Sequence, residues 1–221
     1  MSASKSATIA TPKESQYPWP RYPTGPEKHM HALGIISVNY NLFEVGLAAV
    51  LEHYASKEVS EFFFDRISNH ERLEAIKYLA NVRETDPAVR DCINHLIQFF
   101  RTCADNRNIL MHSSYSEGDH PDDILSLQKK AANEPTKLLY FQLLLPELRR
   151  VADQMMRGVS FLTNIWNYLR ARDASAASAA AATGLPLLPK KPRLPHRLNP
   201  SPHGSIAKNG KRRPRSSSDA K

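Results

Sequence analysis

Between Val89 and Leu110 the chain carries two helical stripes side by side, and they constrain its fold more than any other feature. Val89, Ile93, Leu96, Phe100, Cys103, Arg107 and Leu110 recur at alternating steps of four and three, the spacing of a buried face on a bundle helix. Asn94, Gln98, Arg101, Asp105, Asn108 and His112 recur at the same steps and form a polar stripe beside it. One position breaks the seam. Arg107 stands where an apolar side chain belongs, and a cation there is expensive unless something anionic meets it.

The neighbouring segments supply faces for that seam. From about His29 to Ala55, Leu33, Ile36, Tyr40, Phe43, Leu47, Val50 and Tyr54 alternate by three and four, while Asn39, Asn41, Glu44 and Glu52 face elsewhere. That pattern predicts a core helix. Gly34 and Gly46 lower its helix propensity but let a neighbour approach closely. Lys57 to about Val82 predicts more helix, interrupted around Ser68-Asn69, with Asn69 capping a second piece that carries Leu73, Ile76 and Leu79. Val59, Phe62, Phe63, Phe64 and Ile67 are expected to bury one side of the first piece, and Phe99 and Phe100 to be core. Asp86 before Pro87 opens the long helix, an N-cap followed by proline where no N–H is needed.

Helical periodicity stops after His112. Ser113 to Asp123 is a polar loop. Leu125 and Leu127 then alternate with Ser126 and Gln128, and Leu139, Phe141 and Leu143 alternate beyond a turn at Ala132 to Pro135, which predicts a short two-stranded hairpin. Pro146 begins a last helix with Leu148, Val151, Met155, Val159, Leu162, Trp166 and Leu169 on one face, without a good N-cap because Leu145 occupies that place. The expected fold is all-α, a bundle of four to five helices with a short β-hairpin before the last, in one domain over residues 29–172. Residues 1–28, where Pro18, Pro20, Pro23 and Pro26 punctuate Tyr17, Trp19 and Tyr22, read as an extended arm that lays its aromatics against the domain. Residues 173–221, Ala-rich and then basic with many Pro and Ser, read as a tail, with disorder predicted from Gly184 onward.

Charge and cysteine content narrow the function classes. From Gly184 the chain has ten Lys or Arg and one acid, Asp219, so the net charge of +8 resides in the tail and the remainder is close to neutral. Such a tail suits electrostatic attachment to nucleic acid, and equally a solvated extension that only aids solubility. Cys92 and Cys103 lie among apolar neighbours and read as reduced, packed thiols. With no apolar run after the start, and Leu138 to Leu145 too short to span a bilayer, the expectation is a cytoplasmic protein without a membrane anchor. His29 and His31 lack the cysteine or carboxylate companions of a metal site. No phosphate-binding glycine loop, dinucleotide fingerprint or nucleophile elbow is present, and no metal or cofactor is expected.

Arg107, Asn108 and His112 are the residues with chemistry to offer. RNA carries its own nucleophile, the 2′-hydroxyl, so strand cleavage needs a proton acceptor or donor near neutral pH and a cation against the charge that builds on phosphorus. His112 suits the first task and Arg107 the second, with Asn108 orienting the imidazole or the phosphate. The same residues have a plain structural use: Arg107 in an ion pair with Asp105, Glu117 or another carboxylate, and His112 as a C-terminal cap that favours the helix dipole. On an ideal helix Arg107 and His112 point about 140° apart, which aims them poorly at one phosphate.

The order helix, helix pair, long helix, hairpin, helix, with Arg-x-x-x-x-His and a polar residue after the Arg at the end of a bundle helix, resembles the HEPN superfamily (higher eukaryotes and prokaryotes nucleotide-binding). The likeness spans roughly His29 to Arg170. It implies a metal-independent endoribonuclease of a toxin-antitoxin, abortive-infection or other defence system, in which two such helices meet across the twofold axis of a homodimer. It also implies a neutralising partner protein. Under that resemblance Arg107, His112 and Asn108 are the catalytic residues. Arg101 and Asp105 on the polar stripe, with Lys211, Arg212 and Arg213 of the tail, are the substrate-binding candidates. The competing expectation is a non-catalytic helical module that binds a partner protein or nucleotide through the same cleft, its tail gripping nucleic acid.

Overall fold

A computed structural model describes residues 27–115, 124–134, 136–177 and 186–201. The N-terminal arm, with its Tyr17, Trp19 and Tyr22, and the tail residues Lys211, Arg212 and Arg213 lie outside the described residues. The elements follow in the order α1 (Glu27–Tyr54), α2 (Lys57–Arg66), α3 (Asn69–Arg83), α4 (Pro87–Met111), β1 (Ser114–Tyr115), β2 (Ile124–Lys130), β3 (Leu138–Leu144) and α5 (Leu145–Ala177). The expected helical bundle with a hairpin before the last helix is the architecture that forms.

The seam of α4 is buried as its periodicity requires. Val89, Ile93, Leu96 and Phe100 are fully inaccessible, and the Phe43 ring from α1 meets Phe100 edge-on with centroids 5.0 Å apart. Helices α1 and α5 form the most extensive pairing. Glycines allow it: a Cβ on Gly158 would lie 2.4 Å from Phe43 and 2.7 Å from Phe99, and one on Gly46 would lie 2.6 Å from Leu162. Gly34, by contrast, has open space around it, so its absent side chain serves no close approach. Asn39, placed on the polar face by its spacing, is buried instead and donates to the carbonyl of Ala152 on α5 at 3.1 Å.

Helix ends follow local chemistry. Asp86 caps α4, its carboxylate accepting from the Ala88 N–H at 2.8 Å, with Pro87 at the first turn. The cap of α3 is Ser68 rather than Asn69, because Ser68 is three residues before Glu71 and the two close a reciprocal capping box. Asn69 turns its amide to the Tyr40 hydroxyl and the Glu44 carboxylate on α1. At α5 no side chain caps from Leu144, but Glu147 reaches back to the Leu144 N–H at 2.9 Å and supplies half of such a box. The first half of the Lys57–Val82 region is less buried than expected: Val59 and Phe62 are exposed and Ser60 is the residue that packs, donating to the carbonyl of Ala48. A ten-residue helix packed mainly on α1 has little face to bury.

The sheet is three-stranded in the order β1-β2-β3, all antiparallel, because the polar stretch after α4 contributes the two-residue β1 to the expected hairpin. Leu125 and Leu127 of β2 and Phe141 and Leu143 of β3 point to the core. His29 also differs from expectation: it is buried, with neither ring nitrogen partnered among the described residues. Helix α1 is apolar on two faces. It buries Ile36, Phe43, Leu47 and Val50, while Ile35, Val38, Leu42 and Val45 are exposed. Over Lys28–Tyr54, 27 residues that include an 18-residue window of mean hydropathy 1.4, it is long and apolar enough to cross a membrane. The core helix of a soluble bundle has the same composition.

Residues 186–201 correct the expectation of disorder from Gly184. They run as an extended strap along α4 and end on β3. The buried Asn106 holds the strap at its middle, its amide N–H donating to the His196 carbonyl at 2.8 Å and its oxygen accepting from the Leu198 N–H at 2.9 Å. His95 donates through Nε2 to the Pro192 carbonyl at 2.8 Å. At the far end the Ser201 N–H donates to the Tyr140 carbonyl at 2.7 Å and its hydroxyl accepts from the Gln142 N–H at 3.1 Å, which covers the outer edge of the sheet. Proline explains how so polar a segment docks. Its fixed φ leaves little chain entropy to lose, so a few main-chain bonds and the burial of Pro195 suffice.

Candidate functional site

Helix α4 ends at Met111, and His112 is its C-cap with φ −112° and ψ 13°. Leaving helical geometry at that residue changes the direction of its side chain. The Arg107 Nη1 lies 2.9 Å from His112 Nε2 within one chain. The 140° separation of an ideal helix therefore does not apply, and with it goes the geometric reason for requiring a second copy to bring an Arg and a His together. An arginine can only donate, so Nε2 accepts in this contact and the imidazole carries its proton on Nδ1. The lone pair that would take up a proton is therefore the one Arg107 faces, so the imidazole serves as a base once that guanidinium turns to a phosphate.

Arg107 is held without being neutralised. Its guanidinium stands over the Tyr40 ring, 5.3 Å from the centroid. Nη1 also donates to the Asn108 side-chain oxygen at 3.3 Å, while Nε is buried with no partner among the described residues. Among the described residues no carboxylate pairs with Arg107; Asp105 pairs with Arg197 of the strap at 3.3 Å instead. Tyr40 is a durable platform for the cation. Burial, and then the Glu44 charge, push its hydroxyl up to about 12, so the phenol stays neutral. The Asn108 carbonyl accepts from the His112 N–H at 3.3 Å and from Lys129 Nζ at 3.2 Å. Three basic side chains thus gather at the negative end of the α4 dipole, and both His112 and Lys129 have their polar contacts in exposed surroundings.

The other candidates have different partners. Arg101 pairs with Glu74 of α3 and Asp105 with Arg197, so neither makes a polar contact with Arg107, Asn108 or His112. Among the described residues no cluster of three or more His, Cys, Asp or Glu side chains suits a metal. Cys92 and Cys103 are free and buried, and burial pushes the Cys103 thiol up to about 12. Two further residues belong to this region: Lys129, a basic residue on β2 with no motif around it, and Asn106, whose signal is a third face on α4, since Cys92, His95, Phe99, Thr102 and Asn106 also recur by three and four.

No family model matches the chain, and no curated protein or solved structure matches it either.

Proposed function

We propose that the protein is a metal-independent endoribonuclease of HEPN type that cuts RNA at the C-terminal end of α4. The observation that carries this reading is the Arg107–His112 contact at 2.9 Å, made by an arginine with no carboxylate partner among the described residues. His112 takes the proton of the RNA 2′-hydroxyl as its oxygen attacks the adjacent phosphorus, and the bond from phosphorus to the 5′-oxygen breaks, that oxygen taking a proton from water. Arg107 stabilises the charge on the phosphoryl oxygens, with Asn108 orienting it and Lys129 adding to the field. The products are a 2′,3′-cyclic phosphate and a free 5′-hydroxyl. A defence or toxin role, a neutralising partner protein and a cytoplasmic location accompany this reading through the resemblance alone.

A homodimer belongs to the same proposal, now for a different reason. The exposed stripe Ile35, Val38, Leu42 and Val45 on α1 is an apolar face that a second copy would cover. The test of the chemistry compares one RNA sequence with its 2′-deoxy version and examines the ends. Cyclic phosphate from RNA with intact DNA supports the mechanism, whereas cutting of both strands excludes it.

A second reading has its own support. Asn106, His95 and the β3 edge hold a proline-rich segment through main-chain bonds, the manner in which a non-catalytic module grips a peptide. It predicts an intact RNA in that assay.

A further inference from the structure

The strap does more than cover α4. Where it passes α5 it closes a cleft of about 680 Å³ between the two, lined by Arg149, Arg150 and Arg157 from the helix and by Arg193 and His196 from the strap. None of these arginines has an ion pair or hydrogen bond among the described residues, and the one carboxylate in the lining, Asp153, is unpaired too. Four arginines thus line one space with a single carboxylate, Asp153, and the excess positive charge repels itself unless an anion enters. The cleft also contains Pro146 and therefore borders the first turn of α5, where the helix dipole adds positive potential. The Gln154 amide, another part of the lining, has its oxygen buried without a partner among the described residues.

We infer that this cleft binds the phosphodiester backbone of single-stranded RNA, as a second contact surface formed jointly by α5 and the docked strap. The spacing favours a polymer over a single anion: Arg149 and Arg157 are eight residues apart, about 12 Å along the helix, more than one phosphate spans. No Phe, Tyr or Trp lines the cleft among the described residues, so the backbone is held and the bases are not stacked. The polymer is identified as RNA on the strength of the ribonuclease reading; the demand for a chain of phosphates comes from the cleft itself. Because Arg193 and His196 reach the cleft only when the strap is seated on Asn106, the binding surface depends on strap docking.

The test is fluorescence anisotropy with a 5′-labelled, fully 2′-O-methylated RNA oligonucleotide, which has no hydroxyl to attack and cannot be cut. The full chain, an Arg149→Gln/Arg157→Gln double variant, Arg193→Gln and His112→Ala are compared over a range of salt. The double variant is expected to bind about tenfold more weakly, with a salt slope shallower by about 1.4, the share of two phosphate contacts on a single strand. Arg193→Gln is expected to lose part of that affinity, and His112→Ala to bind as wild type does. All four arginines are exposed, so these substitutions leave the core untouched. Wild-type affinity and slope in the double variant would overturn the inference. If wild type binds the methylated RNA but cuts no RNA, the catalytic reading fails and the cleft stands. If wild type cuts RNA while the double variant binds unchanged, the cleft fails and the catalytic reading stands.

Discussion

The two oxygen and nitrogen ends of the Asn106 amide clamp the strap on either side of Arg197, one on the His196 carbonyl and the other on the Leu198 N–H. A single buried side chain on α4 thereby satisfies two main-chain groups of a segment 90 residues further along the chain. Replacing it by alanine removes both bonds, about 2 kcal/mol, and leaves a pocket beneath the strap. Limited trypsinolysis reads the effect: Asn106→Ala is expected to be cut rapidly after Arg193 and Arg197 while the bundle stays intact. Equal protection in wild type and variant would mean that the strap is held by other contacts.

Arg172 anchors the far end of α5 to the loop before α4. It donates to both oxygens of Glu84 at 2.8 and 2.9 Å, and Glu84 also accepts from the Asp86 N–H at 3.2 Å. The Glu84 side chain is only 2% exposed. Arg172→Ala strands that carboxylate and is expected to cost about 3 kcal/mol in urea unfolding. Glu84→Gln in the Arg172→Ala background should recover part of the loss, because the buried charge is gone.

Glycines at two places on the bundle predict opposite outcomes for one substitution. Gly158→Ala forces a methyl against the Phe43 and Phe99 rings and is expected to destabilise by about 1–3 kcal/mol. Gly34→Ala meets nothing within 4 Å and should stabilise by about 0.4–1 kcal/mol, by restricting the unfolded chain. Thermal midpoints moving in the same direction would contradict the packing described.

His53 makes stability depend on pH. Burial lowers the pKa of its imidazole below the usual 6.5, and the nearby Asp173 carboxylate, 3.4 Å away, offsets this only in part. The unfolded chain then takes up the proton more readily than the folded one. The contribution is whole above 6.5 and is lost as pH falls below it through the folded value. Urea midpoints of wild type should fall more steeply than those of His53→Gln between about pH 7.5 and about pH 5.5. Parallel curves would show that His53 is not the group responsible.

The bundle was legible in the sequence because Val89, Ile93, Leu96 and Phe100 repeat at a helical period and all four are buried. The pairing of Asp86 with Pro87 gave the start of α4 for a reason equally local. What escaped depended on contacts distant in sequence or on small departures from ideal geometry. The strap has the composition of a solvated tail, and its docking depends on Asn106 and His95, whose roles emerge only when residues 186–201 lie beside them. The Arg107–His112 contact needed the helix to end one residue before His112, a detail of one φ/ψ pair that no periodicity encodes. The second apolar face of α1 lowers the contrast between its sides, so periodicity does not separate Ile35, Val38, Leu42 and Val45 from the core residues.

The most direct test of the central claim is cleavage of a mixed RNA substrate in EDTA by purified wild type, His112→Ala and Arg107→Ala, with folding and oligomeric state checked for each. Wild type is expected to cleave the RNA in EDTA. A loss of about 10²–10⁴-fold is expected in His112→Ala and of about 10²–10³-fold in Arg107→Ala. Undiminished cleavage by folded His112→Ala would contradict the central claim.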